Sequence, residues 1–299
     1  MGSGRAAARP GGIGVAPRRG AAADRPAAAR SATVIDVPCP GVIQSGLQEA
    51  ASTYAQIAGL LAGFAFAGIV ALLTARIGSR SSSTHLAVTY RPLVSAFVGL
   101  VAASLTFALV AGDDVGIGRA STLQTAAGLG FAVAVLTLIY SLLVLLHAVE
   151  RDVPDDTGRS RGAFTLLRTA FALVICPLAV LVFSSGMRDH IRLRTGTTAG
   201  LQGLDLATLV AVAVVLGCGV LAWTLSRRGR VLSSPATRIL PALSLGLSLV
   251  AVLVAAWAVI VAEPCRPSSD LLPGTELVLV AVFAIVAALA GTRLDPAHA

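Results

Sequence analysis

Lysine and asparagine are both missing from the 299 residues. The first absence rules out a retinal-type Schiff base, which needs a lysine amine, and the second removes every N-glycosylation acceptor. All 23 basic residues are therefore arginine. Charge of either sign is scarce: 13% of residues are charged, 56% are hydrophobic and the mean hydropathy is +0.83. About a quarter of an ordinary soluble chain is charged. A water-soluble fold cannot hide this much apolar surface.

Clusters of chemically active side chains are missing as well. The four histidines, His85, His147, His190 and His298, stand singly, which excludes an HExxH zinc site. His147 ends an apolar run and has no second histidine in or at a run to complete a haem pair, so it reads as an interfacial residue. The carboxylates Glu150, Asp205, Glu263 and Glu276 fall at the ends of apolar runs, where water is expected to solvate them. None falls in a run's interior, which argues against a side-chain proton relay. A route lined by backbone carbonyls, or by Thr137, Tyr140 and Ser141, stays open. Asp113 and Asp114, followed by Gly116 and Gly118, lack the other ligands of a calcium loop and read as a solvated turn. Ser184, Ser185 and Gly186 resemble a fragment of a serine-nucleophile motif, but no intramembrane histidine serves as base, so they read as a helix end. No catalytic, cofactor-binding or metal-binding residue emerges. Neither an enzyme nor a bound cofactor is expected.

What the chain does have is long apolar runs, at 54–74, 92–111, 126–147, 163–183, 206–225, 239–261 and 275–291. Each approaches the roughly 20 residues that cross a bilayer's hydrocarbon layer at about 1.5 Å per residue. The reading is an all-α, polytopic transmembrane helical bundle of about seven spans, the seventh being the shortest. Residues 1–44 form an Ala/Gly/Arg/Pro-rich tail, expected to be disordered for want of apolar surface. Residues 45–293 form the transmembrane domain and 294–299 a short C-terminal tail. Ser45 and Gln48 have the spacing of a capping box that opens the first helix. The tail's arginines are not followed by an apolar core with a cleavage site, so no secretory signal is expected.

Arginine placement predicts orientation. Arg76, Arg80, Arg91, Arg151, Arg159, Arg161, Arg227, Arg228, Arg230, Arg238 and Arg293 flank one side; Arg119, Arg188, Arg192, Arg194 and Arg266 flank the other. Eleven against five places the N-terminus outside and the C-terminus in the cytoplasm. The arginines of the tail, Arg5 to Arg30, are discounted as lying more than about 20 residues from the first span. Abundant Ala, Gly, Arg and Pro, all with GC-rich codons, suggest a bacterium and its cytoplasmic membrane. A sequence pI near 10.5 would point to nucleic acid in a soluble chain. Here the arginines sit in short loops, so the expected partners are the bilayer and its anionic headgroups, with no nucleic acid. Tyr54, Trp223 and Trp257 fall near span ends, at headgroup level. Arg168, inside the fourth run, is expected to snorkel to the headgroups.

Helix packing supplies the most specific local reading. Gly59, Gly63 and Ala67 recur every four residues in the first span, widened by Gly68, and form a strip that lets another backbone approach. Packing is favoured over a substrate groove floored by glycine: the strip serves a helix crossing at Gly63, or a protein partner or second copy meeting the first helix. Ser244 and Ser248 repeat the spacing in the sixth span, as a facing surface or as hydroxyls bonded back to their own helix. Over about fifteen residues, Ala62, Gly63, Phe64 and Ala65 with Val70 and Ala71 resemble the pore-lining first helix of Orai-type calcium channels. That family has an acidic selectivity residue where this chain has Ala71, and seven spans do not match its subunit, so the resemblance carries no function here. Two arginine-bearing loops, at 75–91 and 226–238, fit a parallel repeat of the first two spans in the fifth and sixth, but the positive-inside rule alone accounts for them and is the favoured reading.

Of the four cysteines, Cys176 and Cys218 fall inside spans and are expected to stay reduced. Cys39 and Cys265 each stand between or beside prolines, and both are external under the predicted orientation. A Cys39 to Cys265 disulfide is therefore expected. The function left by these readings is a membrane scaffold or accessory subunit, or else a transporter or channel for an uncharged or lipid-like solute.

Overall fold

The computed structural model describes residues 44–78, 83–112, 117–152, 159–195, 201–227, 236–261 and 271–292. The expected disordered tail, apart from Gln44, lies outside the described residues, as do the C-terminal tail, Asp113, Asp114, Glu263 and both Cys39 and Cys265. Every described element is a helix, in the order α1 (Gln44–Gly78), α2 (Ser83–Ala111), α3 (Ile117–Asp152), α4 (Arg159–Ala170), α5 (Cys176–Thr195), α6 (Leu201–Arg227), α7 (Ala236–Val261) and α8 (Leu271–Thr292). A π turn, Phe171–Ile175, joins α4 and α5 into one span, so seven helical spans are long and apolar enough to cross a membrane. The chain is thus a multi-pass, all-helical membrane protein. Large apolar side chains such as Leu60, Phe64, Leu105, Leu166, Leu209, Leu253 and Ile260 stand exposed on its outside. Such a surface is stable against lipid and not against water.

One end of the bundle collects the starts of α1, α3, α6 and α8 with the finishes of α2, α5 and α7. There Tyr54 of α1 stacks on Phe107 of α2 at 5.4 Å, and Ala51, Phe107, Leu123 and Ala258 share a buried cluster. We refer to this end as the head and to the other as the foot. Helix α3 is the axis, packed by α1, α2, α4, α5, α7 and α8. Helix α8 lies between α3 and α6, while α1 and α6 ride on opposite flanks.

Small residues set the closest approaches. Ser95, Gly99 and Ala103 of α2 recur every four residues and are buried. A Cβ on Gly99 would sit 2.9 Å from both the Cβ of Ala134 in α3 and the Oγ of Ser248 in α7, so three helices meet where only glycine fits. Ser244 and Ser248 thus form a facing surface, and Ser244 Oγ lies 2.9 Å from Thr137 Oγ1 across the α3/α7 contact. On the flank, the Ser104 hydroxyl donates to the Ala55 carbonyl at 2.9 Å and ties α2 to α1.

The π turn has a chemical cause. Pro177 has no N–H and its ring crowds the carbonyl one turn earlier, so the helix widens ahead of it. The Cys176 N–H donates to the Phe171 carbonyl, five residues back. The widened turn carries Phe171 into the core. A Cβ on Gly291 of α8 would lie 2.8 Å from its ring, and one on Gly219 of α6 would lie 3.1 Å from the Ala172 carbonyl.

Three expectations need correction. Ser184, Ser185 and Gly186 do not end a helix: α5 continues to Thr195, because both hydroxyls donate to carbonyls three residues back, at 2.8 and 2.7 Å, without breaking the ladder. The helix expected to open behind a cap at Ser45 already begins at Gln44. The suggested repeat has no counterpart in packing, since α1 lies along α2 whereas α6 packs on α5 and α8 instead of α7.

Candidate functional site

Polar side chains gather inside the head of the bundle. Ser121, Thr122 and Thr125 face inward from α3, Ser184 and His190 from α5, Thr208 from α6 and Glu276 from α8, all buried. The α3 hydroxyls satisfy themselves locally: Ser121 and Thr122 donate to the Gly118 carbonyl at 2.9 Å, and Thr125 donates to that of Thr122 at 3.0 Å. Such back-bonding lets a hydroxyl sit in an apolar bundle without a partner from another helix.

Glu276 is the exception and the correction that matters most. Placed near the start of the last span, it was expected to meet water, yet it is 2% exposed. The reason is rotation about the helix: Gly274 and Thr275 just before it are exposed, while Glu276 and Leu277 turn inward, Glu276 toward Thr125 of α3. The Thr125 hydroxyl lies beside its carboxyl. That contact does not make a well-formed hydrogen bond, and among the described residues neither carboxyl oxygen has a partner. It is the one buried carboxyl among the described residues.

Two cavities flank this layer and share Met187 as a wall. The first, of about 710 Å³, opens between α5, α6 and α8 and is lined by Ile191, Leu204, Gly274 and Leu277 among other apolar residues. The second, of about 550 Å³, runs from Tyr54, Gln124 and Thr125 at the head to Ile139 and Ile175 beyond mid-span, with α3 as its floor. Its polar lining is confined to the head. Below it the interior is closed by Val133, Phe283 and Ala284.

The residues singled out by sequence are scattered. Thr137, Tyr140 and Ser141 are buried, but none lines either cavity; Ser141 donates to the Leu138 carbonyl at 2.7 Å. His147 is buried at the foot and stacks on Phe164 at 5.1 Å, and His190 lies inside the head, so the two stand at opposite ends. Asp205 pairs with Arg188 at 2.6 Å, both about half exposed, a surface contact worth at most about 1 kcal/mol. Cys176 and Cys218 carry free thiols. Among the described residues no group of histidine, cysteine and carboxylate side chains is arranged to hold a metal.

The glycine strip of α1 divides. Gly59 approaches Ser104 Oγ, 3.5 Å from where a Cβ would lie, and Gly68 approaches Leu93 at 3.2 Å. Gly63 has nothing within 4 Å, and Gly63 and Ala67 are both exposed. Within this chain Gly63 closes no crossing. The feature that sequence reasoning missed, the Ser95/Gly99/Ala103 strip of α2, carries the same four-residue signal. No protein-family model, no curated protein and no solved structure matches this chain.

Proposed function

We propose that this seven-span membrane protein is a scaffold or accessory subunit without enzymatic activity, whose lateral surfaces engage lipid and partner helices. The observation that carries the reading is the packed middle of the bundle: apolar side chains fill it, and the polar lining of the cavity over α3 is confined to the head. The outward half of the α1 strip, Gly63 with Ala67, offers a partner helix or a second copy a smooth approach. The arginine asymmetry supports an N-outside, C-inside orientation in a bacterial cytoplasmic membrane, with arginine loops against anionic headgroups. Reporter fusions after Arg228 are expected to behave as cytoplasmic and those after Asp114 as external; the reverse pattern overturns the orientation.

Reconstitution tests the role. Vesicles containing the purified protein are expected to pass small uncharged solutes no faster than empty vesicles. A second reading, movement of a lipid-like solute, is favoured by one feature: the groove over α3 is apolar along its length and polar only at its head. A fluorescent-lipid scrambling assay separates the two. Scrambling that is lost in Gly128→Leu, which fills that groove, would replace the scaffold reading with the transport one.

A further inference from the structure

Glu276 is a residue that neither the packing of the bundle nor the scaffold reading uses. It is 2% exposed, it sits inside the seventh span, and no cation bonds its carboxyl oxygens. Among the described side chains, the titratable groups at the head on the helices packed against α8 are Arg119 of α3, Arg188 and His190 of α5, and Asp205 of α6. Arg188 is already committed to Asp205. Arg168 of α4 and Arg238 of α7 belong to the foot. Beside the carboxyl lies Thr125, whose hydroxyl hydrogen points to the Thr122 carbonyl at 3.0 Å. A hydroxyl both donates and accepts, so Thr125 is able to turn its hydrogen to a carboxylate or to accept from a carboxylic acid. A charge held without a partner inside a membrane span is retained only at high cost.

We propose that Glu276 is a proton-binding site in the head of the bundle, carrying its proton as a carboxylic acid directed at Thr125 and exchanging it with water through the cavity that Thr125 and Gln124 line. Binding is a bare proton transfer. A hydronium ion at the mouth of the cavity gives its proton to a carboxyl oxygen and leaves water; release returns the proton to water and leaves a carboxylate, with no electron moved. The route is short because Thr125 touches both the carboxyl and the cavity. It stops there, because below Thr125 the cavity is lined by apolar residues such as Val135, Leu136 and Ile139. The geometry therefore describes a site filled from one side of the membrane and not a path across it.

Infrared spectroscopy of the full chain in lipid reads this directly. At neutral pH the wild type is expected to show the carbonyl stretch of a protonated carboxyl, which shifts in heavy water and vanishes in Glu276→Gln. Gln keeps the shape and removes the proton site. Thr125→Val, which takes away the acceptor while leaving the carboxyl, is expected to move the band without abolishing it, and this variant keeps the test informative if the Gln variant does not fold. Absence of the band in the wild type, or its persistence in Glu276→Gln, overturns the site. A band that never shifts in heavy water overturns the exchange route.

Discussion

Helices α1 and α3 differ little in hydropathy, yet 22% of the first span is buried inside the molecule against 61% of the third. In water that pairing would be impossible, since an apolar helix with only about one residue in five buried would aggregate. In lipid both positions are free of hydrophobic penalty, so hydropathy says that a helix spans and does not say where it stands. The difference lies in the minor residues. Helix α3 buries Ser121, Thr122, Thr125, Thr137 and Ser141 among alanines and glycines. The threonines of α1, Thr53 and Thr74, are exposed and bond only to their own helix. Small hydroxyl residues mark the enclosed helix, and large aliphatic or aromatic ones, such as Leu60 and Phe64, mark the lipid-facing one.

The strongest way to break this comparison is to add volume where the enclosed helix meets its neighbours. Gly99→Ala places a methyl 2.9 Å from Ala134 and Ser248, at a point fixed by three helices at once. Overpacking of this kind costs about 1 to 3 kcal/mol, so a clear fall in Tm in detergent is expected, and Gly99→Leu is expected to leave little monodisperse protein. An unchanged Tm for the alanine variant would mean that α2, α3 and α7 do not close on one another as tightly as described.

A smaller effect is expected from removing the contact that crosses the α3/α7 interface. Thr137→Val keeps the shape and deletes the hydroxyl beside Ser244. Interhelical hydrogen bonds of this sort average about 0.6 kcal/mol in membranes, with a maximum near 1.7. Both partners also have helix carbonyls available, as Thr137 shows by donating to that of Val133 at 2.7 Å. A slight lowering of Tm, and a non-additive result when combined with Ser244→Ala, is the expected outcome of the double-mutant cycle. Strict additivity would show that the two hydroxyls merely lie near each other.

How much of this was legible follows from the same physics. The seven spans could be read because a run of about 20 apolar residues has few alternatives to a membrane helix. Their boundaries were less legible: Ser184, Ser185 and Gly186 look like a stop, but serine in an apolar helix bonds backward and the helix runs on. Glu276 was misread for a related reason. Sequence gives depth along a helix and not rotation about it, and at the edge of a span rotation decides whether a carboxyl meets water or the interior. The neighbour of Glu276, Thr125, lies about 150 residues away in sequence and carries no motif. The two small-residue strips were equally visible, but spacing alone did not tell the one on α2, which closes a three-helix contact, from the one on α1, which faces outward in part.

That last distinction gives the smallest expected effect within one chain. Leucine at position 63 meets nothing, since no atom lies within 4 Å of a Cβ there, and it would join Leu60 and Phe64 on a face already apolar. Substitutions clear of any contact usually stay within about 0.5 kcal/mol. For the isolated chain, Gly63→Leu is therefore expected to leave Tm close to that of the wild type, in contrast to Gly99→Leu. The same substitution would obstruct a backbone approaching α1 from outside, because the bulk it adds stands between the two helices. Measured both in dilute detergent and in native membranes, Gly63→Leu separates the two uses of a glycine strip. A silent variant in detergent that loses a site-specific cross-link at Ala67 in the membrane assigns the strip to an external helix. A variant silent in both assigns it to lipid, and a large loss of stability in monomeric protein would show that α1 packs through Gly63 after all.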